Sequence, residues 1–328
     1  MRIVIPGGSG QVGHILARHF CAQGHDVTVL TRSPAHVPWQ TVLWDGVNQG
    51  DWIDTLEGAD VCINLAGRSV NCRYNAANRA AILNSRVDST RILGKTIAAL
   101  THPPIVWLNA STATIYRHSL DSANDELTGI LGGNEPGAPD TWNFSIDVAR
   151  AWEAAFNETP TPRTRKVALR SAMTFSPDRG GVFDVFLCLV RQGLGGTVGS
   201  GRQYVSWIHD ADFIRAVEFL IADDALDGPV NLASPNPLPN REFQRALREA
   251  WGTPIGLPTF EWMVEIGTFL MHTESELVLK SRRVVPTRLL QAGFTFEHPT
   301  WSDAAHDLVA RWREHLKTNP DPWVCSRH

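Results

Sequence analysis

The segment Gly7 to Gly13 reads G-G-S-G-Q-V-G, so glycines stand at 7, 8, 10 and 13. It satisfies G-x-G-x-x-G through Gly8, Gly10 and Gly13, and G-x-x-G-x-x-G through Gly7, Gly10 and Gly13. Glycine permits a tight turn and lets backbone come close to a bound pyrophosphate. The glycines follow an apolar run, R-I-V-I, and open the stretch Q-V-G-H-I-L-A-R-H-F-C-A-Q-G. A helix starting there offers free N–H groups and a partial positive charge to the same anion. Gly7, Gly10, Gln11, Val12 and Gly13 are therefore expected to cradle a dinucleotide. A second group ends the next apolar run, D-V-T-V-L-T-R-S. An acid at that place would take a ribose 2′-OH, and an arginine would accept a 2′-phosphate. Asp26 stands at the wrong end of the run, whereas Thr31, Arg32 and Ser33 stand at the right one. This points to NADP(H) over NAD(H). Its alternative is that Arg32 is a solvated loop residue.

These residues need a scaffold of strands and helices. D-V-T-V-L, Q-T-V-L-W and D-V-C-I-N-L read as the second, third and fourth strands. A long helix from about Ala77 to Leu100 follows, then P-I-V-W-L-N, a further helix around F-S-I-D-V-A-R-A-W-E, and K-V-A-L-R. Near-continuous apolar strands alternating with helices imply βαβ crossovers and a parallel sheet covered on both faces. The expected fold is a Rossmann-like, doubly wound α/β sheet with a smaller C-terminal α/β lobe. The first domain is expected to span residues 1–175, with late elements near 205–233 rejoining it. After Phe175 glycine and proline cluster, and residues 176–328 are assigned to the smaller substrate lobe. Within it, P-T-R-L-L-Q-A-G is a short helix with Pro286 near its start and Gly293 past its end.

Composition narrows the partners. The 328 residues carry a net charge of -4, with 43% hydrophobic and 20% charged residues. No basic surface favours nucleic acid or an anionic membrane. No apolar run approaches the ~20 residues that span a bilayer, and the N-terminus enters a strand without a signal peptide. A cytoplasmic protein acting on a small molecule, with a homodimer as one option, is the expectation. Five scattered cysteines without C-x-x-C suggest reduced thiols, and no metal site is expected.

The sequence resembles the extended short-chain dehydrogenases/reductases, which include the NAD-dependent epimerases/dehydratases. Within them it is similar to epimerase-family proteins that carry a C-terminal domain of unknown function, DUF1731. The resemblance rests on G-G-S-G-Q-V-G, W-D-G, I-N-L-A-G-R-S-V, N-S-R-V-D-S-T-R-I-L and the W-E of A-R-A-W-E. It extends through G-S-G-R-Q-Y-V-S-W-I-H-D-A-D and R-R-V-V-P-T-R-L-L-Q-A-G-F-T-F. The DUF1731-like tail is expected over 240–305. The resemblance implies that Asp45 lies by the adenine and that Leu65, Ala66 and Gly67 line the cofactor. It also implies that Arg86 can reach cofactor phosphate or ribose, and that Arg170 and Ala172 border the nicotinamide end, which the cleft between the lobes would hold. Pro6 replaces the family's usual threonine.

The family's acid-base pair, a tyrosine with a lysine four residues on, is missing. Its positions hold Ser145 and Ala149, and none of Tyr74, Tyr116 and Tyr204 has a lysine four residues later. Ser111 stands where the family's substrate-orienting serine belongs; otherwise it is a turn hydroxyl. Tyr116, five residues on, is a candidate proton donor or a half-buried loop aromatic. Arg202 could clamp a substrate carboxylate or phosphate. His209 titrates in the useful range and is a second substrate-lobe candidate, with a packing role as its alternative. The function expected is an NADP(H)-dependent oxidoreductase or epimerase on an unidentified small polar metabolite. The alternative is a non-catalytic NADPH-binding sensor or regulator.

Overall fold

The computed structural model describes residues 1–133, 135, 136, 138–259 and 276–318. Two compact units divide the chain. The first comprises Met1–Ile115, Asn143–Ser171 and Ile214–Val230, and the second Tyr116–Trp142, Ala172–Phe213 and Asn231–His328.

The strands of the first sheet are β1 (Arg2–Pro6), β2 (Asp26–Thr31), β3 (Gln40–Leu43), β4 (Val61–Asn64), β5 (Val106–Thr112) and β6 (Arg165–Ser171). Three helices cross between them: α1 (Gln11–Ala22), α2 (Ala76–Ala99) and α3 (Asp140–Glu158). Further along come β7 (Met173–Phe175), α4 (Val182–Arg191), β8 (Tyr204–Val205), β9 (Trp207–His209), α5 (Asp210–Ala222) and β10 (Gly228–Leu232). They are followed by β11 (Leu238–Pro239) and α6 (Asn240–Trp251). The seven-stranded sheet runs β10-β6-β5-β4-β1-β2-β3, and the pairs from β6 through β3 are parallel. Reversal of strand order between β1 and β4 is the Rossmann arrangement, which opens its binding crevice at the carboxyl ends of those strands.

Burial explains why these residues form these elements. Val61, Cys62, Ile63 and Asn64 of β4 are all buried, as a strand covered on both faces requires. Helix α3 turns Ile146, Ala149, Trp152 and Phe156 inward at helical spacing. Trp107 of β5 meets Phe156 edge to face at 4.6 Å. Trp44, Trp107, Trp152 and Trp207 are all core residues, not open stacking platforms. The second unit has its own core, an aromatic cluster of Phe175, Phe183, Trp207, Phe243, Trp301 and Trp312. The helix Trp301–Thr318 supplies two of those rings. Cys21, Cys62 and Cys72 carry free thiols. Among the described residues no helix is long and apolar enough to cross a membrane.

Candidate functional site

The turn between β1 and α1 is held almost entirely by backbone. Gly7 adopts φ +73° and donates its N–H to Leu30 O at 2.8 Å, while Leu65 N–H donates to Pro6 O at 2.8 Å. A Cβ on Gly7 would fall 2.5 Å from Ala66 Cα, and one on Gly13 would fall 2.3 Å from Gly8 O. Both glycines are thus required by backbone contact. Gly10 differs, because the nearest atom to a Cβ there would be Gly7 O at 3.9 Å. It caps α1 in extended conformation and offers no side chain to the helix end. The first-turn amides of Gln11, Val12 and Gly13 have no intrahelical acceptor. Gln11 Nε2 is buried without a hydrogen-bond partner. Space at Gly10, unclaimed amides and an orphaned side-chain donor fit a dinucleotide pyrophosphate.

The residues at the neighbouring strand ends are laid out around this turn. Thr31 is buried and donates its hydroxyl to Ser9 Oγ at 3.1 Å. Arg32 is exposed, and its guanidinium makes no bond among the described residues. Asp45 closes its own turn by accepting from the N–H groups of Val47 and Asn48, each at 2.8 Å. The Asn48 amide, with that of Val47, holds its carboxyl below the usual carboxylate range. Ala66 is buried against Gly7, and Gly67 is exposed. Arg86 lies half-buried beside Gly67.

A polar network joins the ends of β4, β5 and β6. Asn64 Nδ2 donates to Asn109 Oδ1 at 2.7 Å and to Thr90 Oγ1 at 3.2 Å. Trp152 Nε1 donates to Thr90 Oγ1 at 3.0 Å. Beside it, Ser111 Oγ donates to Glu153 Oε1 at 2.7 Å. Arg170 grips the same carboxylate with two bonds of 2.8 Å, from Nε to Oε1 and from Nη2 to Oε2. Paired planar geometry of this kind is the strong form of an ion pair. Because Ser111 spends its proton on Glu153, its Oγ is left able to accept a hydrogen bond. One turn back on α3, Ala149 is fully buried, so a lysine's long chain has no room at that position.

Glu153 was not among the residues singled out from the sequence. A signal for it existed: a glutamate one helical turn after Ala149, at the end of an inward-facing tryptophan stripe. Asn64 and Asn109 left a similar trace as polar residues ending otherwise apolar strands. Buried polar groups of that kind are almost always bonded.

Three expected site residues have partners within the fold. Arg170, expected to border the nicotinamide end, has its guanidinium held by Glu153. Tyr116 belongs to the second unit and is only 2% exposed. Its hydroxyl donates to Asn231 Oδ1 at 3.0 Å, so its proton is committed inside the fold. His209 is also buried. Its Nε2 lies 2.9 Å from Asp307 Oδ2, and its Nδ1 accepts from Ala211 N–H at 3.2 Å. Burial pushes its pKa down. It ties the start of α5 to the helix Trp301–Thr318. His209, His298 and Asp307 bring ligand atoms within 4.8 Å of one another. The two imidazoles have centroids 3.8 Å apart at a tilt of 30°, and Arg311 pairs with Asp307 at 3.2 Å. Ala172 donates its N–H to Leu232 O at 2.9 Å. Arg202 is exposed on a loop where its N–H donates to Ser200 Oγ at 3.3 Å.

The chain is similar to several known proteins. Epimerase family protein SDR39U1 of Bos taurus is 30% identical over 314 residues, covering 94% of this chain and 100% of that protein. An epimerase family protein of Mycobacterium tuberculosis is 31% identical over 306 residues, covering 92% and 95%. The crystal structure of human epimerase family protein SDR39U1 with NADPH superposes with a TM-score of 0.82 at 27% identity, covering 94% of this chain and 99% of that one. Residues 259–308 match the domain of unknown function DUF1731. Residues 3–233 match the NAD dependent epimerase/dehydratase family, and the chain belongs to that family.

Proposed function

We propose that the chain binds NADP(H) along the Gly7–Gly13 turn and acts as an oxidoreductase or epimerase on a small polar metabolite. The observation that carries this reading is Ser111 hydrogen-bonded to Glu153 at 2.7 Å, at the strand end where the family orients its substrate. The human relative solved with NADPH supports the cofactor. A bound nicotinamide would supply or accept the hydride. The protein's own part is proton handling. A substrate hydroxyl donates to Ser111 Oγ, and the serine proton moves to Glu153 as the substrate oxygen loses its own. Arg170 keeps that carboxylate in place. The test is a survey of small alcohols and carbonyl compounds with NADP(H), followed by absorbance. Ser111→Ala should remove any turnover found and leave NADPH affinity intact. Turnover that persists in this variant overturns the role of Ser111.

The burial of Ala149 favours a second reading, a non-catalytic NADPH-binding regulator. General acid-base help is worth about 10²–10⁴-fold in rate, and this chain lacks the family's usual source of it. Purified protein should therefore epimerise nucleotide sugars weakly or not at all. Ordinary enzymatic rates on a nucleotide sugar would contradict the regulator reading and the expectation of weak turnover.

Selectivity for the phosphorylated cofactor should come from Arg32. The cradle holds the pyrophosphate of either cofactor and cannot discriminate. No carboxylate ends β2, whereas Arg32 is exposed there and makes no bond among the described residues. Charge-assisted bonds to a 2′-phosphate are worth roughly 1.5–3 kcal/mol, or about ten- to a hundredfold, with salt pushing the value to the low end. Calorimetric titration should show NADPH bound more tightly than NADH, and Arg32→Ala should erase the difference. Equal wild-type affinities would return Arg32 to the role of a solvated loop residue.

A further inference from the structure

His209, His298 and Asp307 reach one another from three separate elements of the second unit. His209 ends β9, His298 stands just before the helix Trp301–Thr318, and Asp307 lies on that helix. One ligand atom from each lies within 4.8 Å of the other two, with His209 buried and its partners half-buried. The nearest pair, His209 Nε2 and Asp307 Oδ2, is 2.9 Å apart. The set is spread over 98 residues from His209 to Asp307, so no spacing motif announces it.

The groups around these three are arranged as supports. Asp210 Oδ1 lies 3.2 Å from His209 Nδ1. In the tautomer that carries its proton on Nδ1, that carboxylate accepts it and Nε2 keeps a lone pair on the Asp307 side. Ala211 N–H yields its own bond to Nδ1 in exchange. A carboxylate behind an imidazole is the usual support of a metal-ligating histidine. Asp212 accepts from the N–H groups of Glu297 and His298 at 2.7 and 2.9 Å, which pins the backbone at His298. Arg311 grips Asp210 through bonds of 2.9 and 2.8 Å and shares Asp307 Oδ2 at 3.2 Å. A cation that takes Asp307 leaves the paired grip on Asp210 in place. Asp210, Asp212 and Asp307 outnumber Arg311, so the cluster favours a positive ion. Burial keeps His209 below the usual imidazole range, hence neutral, the form that ligates. Two imidazole nitrogens and one carboxylate oxygen are a zinc donor set, with the fourth position left to water. Ligand atoms of a tetrahedral zinc site stand ~3.3 Å apart, so binding draws the half-buried His298 ring inward. We propose that His209, His298 and Asp307 form a zinc site that clasps β9 and the start of α5 to the helix Trp301–Thr318.

The test strips the full chain with EDTA, dialyses it and titrates it with zinc sulfate against a chromophoric chelator. Wild type should bind one zinc ion per chain. Loss of a supporting partner costs about 10–100-fold in metal affinity, so His298→Ala and Asp307→Asn, which each remove a ligand, should weaken binding by about a hundredfold or more. Zinc should also raise the melting temperature of wild type, as any ligand of the folded state does, and leave that of His298→Ala unchanged. Magnesium at the same concentration should do neither. Zinc bound equally well by His298→Ala would mean that thiols or other histidines hold it, and the proposal is overturned. Absence of saturable zinc binding to wild type, or an equal response to magnesium, overturns it as well. If His298→Ala does not fold, His298→Phe carries the test, since it keeps a ring against His209 and has no nitrogen to offer.

Discussion

Gly10→Ala should fold like the wild type and lose most of its NADPH affinity, whereas Gly13→Val should lose both. The two glycines differ in what a side chain would meet. At Gly13 a Cβ would lie 2.3 Å from Gly8 O and 2.4 Å from Gly8 Cα. Those are backbone atoms, and they cannot swing away. The substitution must lift α1 off the turn, which disturbs the amides that hold the pyrophosphate. At Gly10 the nearest atom would be 3.9 Å away, and the residue has an ordinary extended conformation, φ -80°. Alanine is therefore tolerated by the protein, but its methyl occupies the approach of the ligand. Two amide–phosphate bonds, each charge-assisted and worth roughly 1.5–3 kcal/mol, would amount to a loss on the order of a hundredfold or more. Fluorescence titration with NADPH and urea denaturation together check this. A Gly10→Ala protein that binds like the wild type would mean that the anion does not approach α1 along this face.

The parts of this molecule that were legible in its sequence are those whose causes are local. Glycine spacing after R-I-V-I requires a turn, whatever the rest of the chain does. Apolar runs such as V-C-I-N are buried on both sides, and their alternation with helices sets the parallel sheet. Ser111 could be placed because it ends a strand. What could not be read depends on distant partners. Tyr116 lies five residues past Ser111, yet its hydroxyl finds Asn231, 115 residues away. His209 finds Asp307, 98 residues away. In each case sequence offers a titratable group with suitable chemistry, and only the folded chain shows which partner holds it. Glu153 is the converse. A charged residue following the buried Trp152 looks like a solvated helix position until Ser111 and Arg170 arrive from two adjacent strands.

Glu153→Ala should be the most destabilising single substitution in the network, by about 3–5 kcal/mol, the range for breaking a buried pair by removing one partner. The Glu153 and Arg170 side chains are only 16% and 8% exposed. Without the carboxylate, Arg170 is left charged among β5, β6 and α3 and loses two bonds of 2.8 Å. Ser111 loses its acceptor in the same step. Glu153→Gln should cost less, because an amide oxygen still accepts from Ser111 while the charge on Arg170 goes unmet. The comparison that isolates the cause is the double variant Glu153→Met with Arg170→Met. Replacing both partners by apolar groups of similar volume is often neutral or stabilising, so the double variant should recover most of what Glu153→Ala loses. Urea denaturation of the four proteins measures this. If the double variant is as unstable as Glu153→Ala, the loss comes from packing around α3 and not from an orphaned guanidinium. Turnover and stability would then part company in an informative way. A refolded double variant has its sheet intact but lacks the acceptor for the Ser111 proton, so any activity that depends on Ser111 and Glu153 should remain absent while NADPH still binds.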